Sequence, residues 1–179
     1  MKRLKEFTIP FVGLKLGKHH FEYNINKKFF EHFEYEDFND VNVDVDILFE
    51  KKATLLDLHF EISGYVNINC DTTNEPFNQS LKNEFDLVVN FGSEYNDENI
   101  DILVIPHAEY EINIQQYIYE LIVLSVPHKR IHPGLEDGTL NSDILEKLEE
   151  LSPKEEKESK ENKDIDPRWD TLKKLLTDK

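Results

Sequence analysis

Cys70 is the single thiol of the chain, set where the run YVNINC gives way to DTTNEPF. A thiolate there invites metal chemistry, but a tetrahedral structural zinc needs four nitrogen or sulfur ligands at fixed geometry. His128 and His132, in the segment PHKRIHPG, are the candidates to join it, and a fourth protein ligand is missing. No cofactor is therefore expected, zinc included, and Cys70 reads as a small buried side chain at a strand end. The remaining histidines carry little. His19 and His20 lie in a turn-like stretch, His59 falls on the opposite face from Leu58 and Phe60, and His107 follows Pro106; each suits a surface or strand-face role. Among the acids, Glu36 with Asp37 and Asp44 with Asp46 are pairs a cation could bridge, yet alternation puts the latter two on the solvent face of one strand. Gly-rich phosphate loops, nucleophile elbows and paired metal motifs are absent from the sequence, so no catalytic residue is assigned and the chain is not expected to be an enzyme.

Two cationic clusters are the candidates for partner contact. Lys129 and Arg130 form the densest positive patch of an acidic C-terminal half; their plainer role is to face the carbonyl end of the preceding helix. Asp166, Pro167, Arg168 and Trp169 open the last segment, where Arg168 and Trp169 offer a planar cation beside an aromatic ring; the plainer role of Trp169 is as an anchor for helix packing.

The elements that must carry these residues can be read from period. VNVDVDILF, from Val41, alternates so that Val41, Val43, Val45 and Ile47 share a face and the opposite face is acidic. ATLLDLHFEISGYVNINC places Leu56, Leu58, Phe60 and Ile62 on one side, is expected to break at Gly64, and resumes from Tyr65. FDLVVNF and IDILVIP supply further strands, and residues 7–25 read as short edge strands and turns around Pro10, Gly13 and Gly17. At Asn113 the period changes: INIQQYIYELIVLSV reads as a helix capped by Asn113, apolar nearly all round, and stopped by Pro127. NSDILEKLEEL reads as a surface helix, SPKEEKESKENKDI as a charged linker, and DPRWDTLKKLL as an amphipathic helix capped by Asp166 with Pro167 in its first turn. The expected fold class is α+β: an antiparallel sheet or small barrel-like meander in the first ~110 residues, a buried helix packed on it, then C-terminal helices. The expected domains are residues 1–151 as one globular unit, 152–165 as linker and 166–179 as terminal helix.

Charge narrows the class of partner. The formal net charge is −16, from 21 Lys and Arg against 37 Asp and Glu. Residues 1–30 hold seven bases and two acids, whereas residues 31–101 hold three bases and eighteen acids. Proteins that grip nucleic-acid backbones do so by releasing counterions with Lys and Arg, so most of this chain would repel phosphate and attract a basic protein. One cysteine makes no internal disulfide, and MKRLKEFTIPF lacks the apolar run of a secretion signal, so the expected location is cytoplasmic, with no membrane span.

Three stretches, CDTTNEPF (70–77), ELIVLSVP (120–127) and DPRWDTLKKL (166–175), occur in an order and spacing that resemble the YceD family, named for accumulation of large-subunit ribosomal RNA. They look like that family's Cys-x-x-Cys turn with trailing Pro and Phe, its acidic-apolar helix ending in proline, and its C-terminal signature. The chain would be a divergent member: Thr73 stands where members commonly place the second cysteine, and the later cysteines are absent. Cys70 and Thr73 are then the remnant of a degenerate zinc site, the turn being held by Pro76 and Phe77 packing and by the side chains of Asp71, Thr72, Thr73 and Asn74. The resemblance implies a role in ribosomal RNA accumulation or ribosome assembly, with a ribosomal protein or pre-ribosomal particle as partner. Charge favours a basic ribosomal protein held on the acidic face of residues 31–101. The alternatives are direct ribosomal RNA binding through Lys2, Arg3, Lys5, Lys15, Lys18, Lys27 and Lys28, and an RNA-processing hydrolase.

Overall fold

The computed structural model describes residues 4–136, 138–140 and 143–151. The chain divides into two compact units, Met1–Asn141 and Ser142–Lys179. The first is built on an open six-stranded sheet. In chain order its elements are a 3-10 turn Lys5–Phe7, β1 (Thr8–Ile9), β2 (Gly17–Asn26), α1 (Lys27–Glu31), β3 (Asp40–Lys51), β4 (Leu55–Asn69), β5 (Pro76–Gly92), β6 (Asn96–Asn99), β7 (Ile102–Pro106), β8 (Ile112–Asn113), α2 (Gln115–Ser125) and α3 (Pro133–Glu136). The sheet order is β2-β3-β4-β5-β7-β6, and β1 pairs with β8 as a separate ribbon. From β2 to β5 the strands form an antiparallel meander in continuous register. β7 then joins β5 in parallel, Val88 opposite Ile102. The class is α+β; the sheet is mixed and open rather than purely antiparallel or barrel-like.

Alternation determines which face is buried. Val41, Val43, Val45, Ile47 and Phe49 of β3 are all buried, as are Leu56, Leu58, Phe60 and Ile62 of β4. Contrary to the expected break, β4 runs through Gly64 to Asn69 without losing register, with Val66 and Ile68 buried on the same side. The glycine marks a close approach. A Cβ there would lie 2.2 Å from the Asn42 carbonyl oxygen and 2.8 Å from Val43 Cα, and its φ of 151° is one that L side chains rarely adopt.

α2 covers the buried face with Ile118, Leu121 and Ile122. The cap lies one residue later than expected: Ile114 is the N-cap, and Asn113 Oδ1 accepts the Gln115 N–H at 3.2 Å. Nor is the helix apolar all round in its packing, because Leu124 is 79% exposed. Aromatic rings fill the space beside it. Phe30 meets Phe38 edge-on at 4.9 Å, Phe33 stacks on Tyr119 at 4.3 Å, and Tyr117 stacks on Phe85 at 6.3 Å. α1 caps itself, the Asn26 side chain accepting the Lys28 N–H at 3.0 Å, and buries Phe29 and Phe30.

In the second unit, the expected surface helix is α4 (Asp143–Leu151), with Ile144 and Leu151 41% and 80% exposed. Asn141 and Ser142 at the start of NSDILEKLEEL, the linker 152–165 and the DPRW segment, with Asp166, Pro167, Arg168 and Trp169, lie outside the described residues. No helix among the described residues is long and apolar enough to cross a membrane.

Candidate functional site: the acidic sheet face and the Cys70 junction

Burying one face of the long meander leaves the other to solvent, and register decides what stands there. Glu22 pairs with Asp46, Asp46 with Glu61, and Glu61 with Glu84. Four carboxylates thus cross four adjacent strands in one row. Like charges directly opposite destabilise a sheet, so nothing in strand stability favours this row. Asp44 and Asp86 stand on the rows either side, and all six side chains are exposed.

Basic groups are embedded in this face without neutralising it. His59 Nδ1 lies 2.6 Å from Asp86 Oδ1 and its Nε2 lies 3.2 Å from Glu61 Oε1. The hydrogen bond to Asp86, helped by Glu61 and opposed by burial, raises the imidazole above its ordinary range. Lys52 is ion-paired with Asp57, which raises its pKa in the same way. His20, Glu22 and Asp46 bring one ligand atom each within 4.8 Å of one another, the closest approach to a cation-holding group among the described residues. Period made Asp44 and Asp46 visible as a solvent-face pair; their partners Glu22, Glu61 and Glu84 needed the register.

Towards one end the face changes from carboxylates to amides. Asn39 Nδ2 donates to Asn67 Oδ1 at 3.1 Å and Asn69 Oδ1 at 2.8 Å, and Asn67 Nδ2 donates to Asn78 Oδ1 at 2.7 Å. This ladder leads to the turn that bears Cys70. Cys70 is 2% exposed and Thr73 1%. The turn closes on itself through Asn74 N–H to the Cys70 carbonyl, 2.8 Å, and Cys70 N–H to the Glu75 carbonyl, 2.9 Å, with Asn74 at φ 57°. Thr73 Oγ1 accepts the Glu75 N–H at 3.4 Å.

The same turn is tied to the loop after α2. The Asp71 N–H donates to the Arg130 carbonyl at 2.8 Å and the Arg130 N–H donates to Asp71 Oδ2 at 2.8 Å, with Arg130 Nε 3.8 Å from Asp71 Oδ1. The His132 N–H points at Cys70 Sγ, 3.3 Å away. Burial pushes the Cys70 thiol up, but hydrogen bonds from the Thr73 side chain and the N–H groups of His132, Thr73 and Thr72 outweigh it and bring it down to about 7. The contact of His132 with Cys70 is made by its backbone N–H, not by the ring that the sequence offered as a metal ligand: ring nitrogen Nδ1 accepts the Gly134 N–H at 2.9 Å and the ring packs on Phe77. Arg130 is half-buried against Asp71, while Lys129 and His128 are exposed.

The described residues thus form an α+β unit with one face of its sheet packed, the other acidic, and a cysteine-bearing turn clasped to the loop after its helix. The chain belongs to the family described as large ribosomal RNA subunit accumulation protein YceD, which it matches over residues 58–176. No curated protein and no solved structure matches it. The matched region starts inside β4 and takes in the Cys70 turn, α2 and the DPRW segment.

Proposed function

We propose that this chain is a non-enzymatic factor that supports accumulation of large-subunit ribosomal RNA by holding a basic ribosomal protein on its acidic sheet face. The observation that carries this reading is the row Glu22, Asp46, Glu61 and Glu84. A surface that sets like charges opposite one another loses stability, and a cationic ligand recovers it on binding. Ribosomal proteins are rich in Lys and Arg because they neutralise phosphate, and a carboxylate face presents the same type of counter-charge before RNA is met. The DPRW segment, through Arg168 and Trp169, and the exposed Lys129 are assigned to secondary contacts with the same pre-ribosomal partner.

The test is capture of the tagged full-length chain from cells, with nuclease digestion before elution and identification of bound proteins and RNA in the same eluate. A ribosomal protein should remain after digestion and be lost from an Asp46→Lys/Glu61→Lys variant. Release of all ribosomal proteins by nuclease, with salt-sensitive binding of bare ribosomal RNA to the pure chain, would replace this reading with direct RNA contact.

A further inference from the structure

Residues 88–92 of β5 pair with β7, but the stretch 76–87 pairs with β4 on one side and has no strand on the other among the described residues. Glu84 N–H is taken instead by the Asn83 side chain at 2.9 Å, and Asn83 Nδ2 donates to Ser125 Oγ at the end of α2, 2.9 Å. Between this open edge, α2 and the β6–β7 turn lies a groove of about 630 Å³. Its floor is apolar, with Leu103, Ile105, Ile112 and Leu121 buried and the rings of Phe85 and Tyr117 along one wall. Asp97, Glu109, Glu111 and Glu120 ring it, and among the described residues no Lys, Arg or His lines it. Leu124 at 79% exposure and Ile100 at 80% stand at its mouth. Burial, followed by the charges of Tyr95, Asp97 and Glu120, raises the Tyr117 phenol. The groove is therefore negative as well as apolar.

We propose that this groove receives a Lys- or Arg-bearing segment of a partner protein, which inserts bulky apolar side chains onto the Leu103–Leu121 floor and sets its cations against the four carboxylates. This rests on the cationic-partner reading above and adds to it a second, apolar attachment point. Charge complementarity selects the occupant: a second copy of this chain would bring the same carboxylate ring and a net charge of −16 against itself, whereas an apolar-basic segment satisfies floor and rim together. Glu84 borders the groove at the strand edge while its side chain, alternating with Phe85, stands in the acidic row, so the two surfaces adjoin.

The probe is a synthetic amphipathic peptide of leucine and lysine, titrated into the isotope-labelled full-length chain and compared with a peptide of equal charge in which serine replaces each leucine. Saturable amide shifts are expected at Ile100, Leu103, Tyr117 and Leu124, with affinity at least tenfold weaker for the serine peptide and for Leu124→Glu. Ile100→Glu serves as the second variant; both residues are too exposed for the change to disturb folding. Equal binding of the two peptides, or shifts confined to Glu22, Asp46 and Glu61, would overturn the groove while leaving the acidic face in place. A large gain in affinity on Trp169→Ala would assign the groove to this chain's own terminal segment, and concentration-dependent shifts without peptide would assign it to a second copy; either overturns the proposal. Failure of the proposed function is separate: it would appear as capture of ribosomal proteins unaffected by Asp46→Lys/Glu61→Lys.

Discussion

Asp46→Asn should make this protein more stable. Asp46 stands between Glu22 and Glu61 in directly opposed positions, and its carboxylate lies within 4.8 Å of Glu22. Two unit charges at that separation repel by about 0.9 kcal/mol in water before screening, and by about 0.5 kcal/mol at 0.1 M salt, where the Debye length is ~10 Å. A contribution of similar sign from Glu61 brings the expected gain to roughly 0.5–1 kcal/mol, each pair falling within the ~0.2–1 kcal/mol range of cross-strand pairs. Asparagine keeps the shape and touches no buried group. For a domain of this size the midpoint of thermal unfolding should rise by about 1–4 °C. Denaturant unfolding at 0.1 M and 1 M sodium chloride is the assay, and the gain should shrink to about a third at the higher salt, where the Debye length falls to ~3 Å. A loss of stability would refute the reasoning, because attraction to His20 would then outweigh repulsion along the row, and so would a gain indifferent to salt, because its source would not be charge repulsion. The same substitution should weaken capture of a cationic partner, so stability and binding are expected to move in opposite directions.

Three further outcomes follow from the same contacts. By NMR titration His59 should lose its proton above the usual imidazole range near 6.5, and Asp86→Asn should return it towards that range; because the folded value is raised, this contribution to stability is complete below pH ~6.5 and fades as pH rises through the folded value. Cys70 has the opposite sign. Its folded value of about 7 lies below the ordinary 9.0, so stability should climb between those values as the pH rises and be lost as it falls towards 7, a slope that Cys70→Ala should abolish in pH-dependent denaturation. Gly64→Ala should cost at least ~1–3 kcal/mol from backbone strain, with more from the contact with Asn42, and an unfolding curve matching the parent chain would show that β3 and β4 are not held so close.

The sequence was most legible where one period governs a whole element. Val41 to Ile47 and Leu56 to Ile62 declare a half-buried sheet, because every second residue must meet the same core. Gly64 was misread as a break, since a glycine in a strand is locally indistinguishable from a turn; what it serves is an approach to Asn42, twenty-two positions away in sequence and set by register. The parallel pairing of β7, the short α1 and the aromatic cluster of Phe30, Phe33, Phe38 and Tyr119 left no periodic trace, because they depend on contacts between distant segments. For the candidate site the acidic bias of residues 31–101 was plain, but the row needed Glu22 from the otherwise basic N-terminal stretch. The groove was invisible for the same reason: Glu84, Asp97, Glu111 and Leu124 belong to four different parts of the chain.

The Cys70 turn is joined to the loop after α2 through direct contacts among the described residues. A zinc site would hold turn and loop together by coordination; here the connections are hydrogen bonds, two between the Asp71 and Arg130 segments and one from His132 to the sulfur. Each contributes on the order of 1 kcal/mol net, and those reaching a charged carboxylate somewhat more. Thr73 is suited to this because a buried hydroxyl can both meet the neighbouring sulfur and accept the Glu75 N–H, which a second unligated thiol would do less well. Replacing Asp71 by Ala should therefore loosen the loop 127–132 more than replacing Cys70 by Ala, since the carboxylate is the acceptor for the Arg130 N–H as well as the partner of its side chain. Hydrogen exchange at the Arg130 and His132 amides reads this out: faster exchange at both in Asp71→Ala, and at His132 alone in Cys70→Ala. The reverse order would place the strength of the junction in the sulfur.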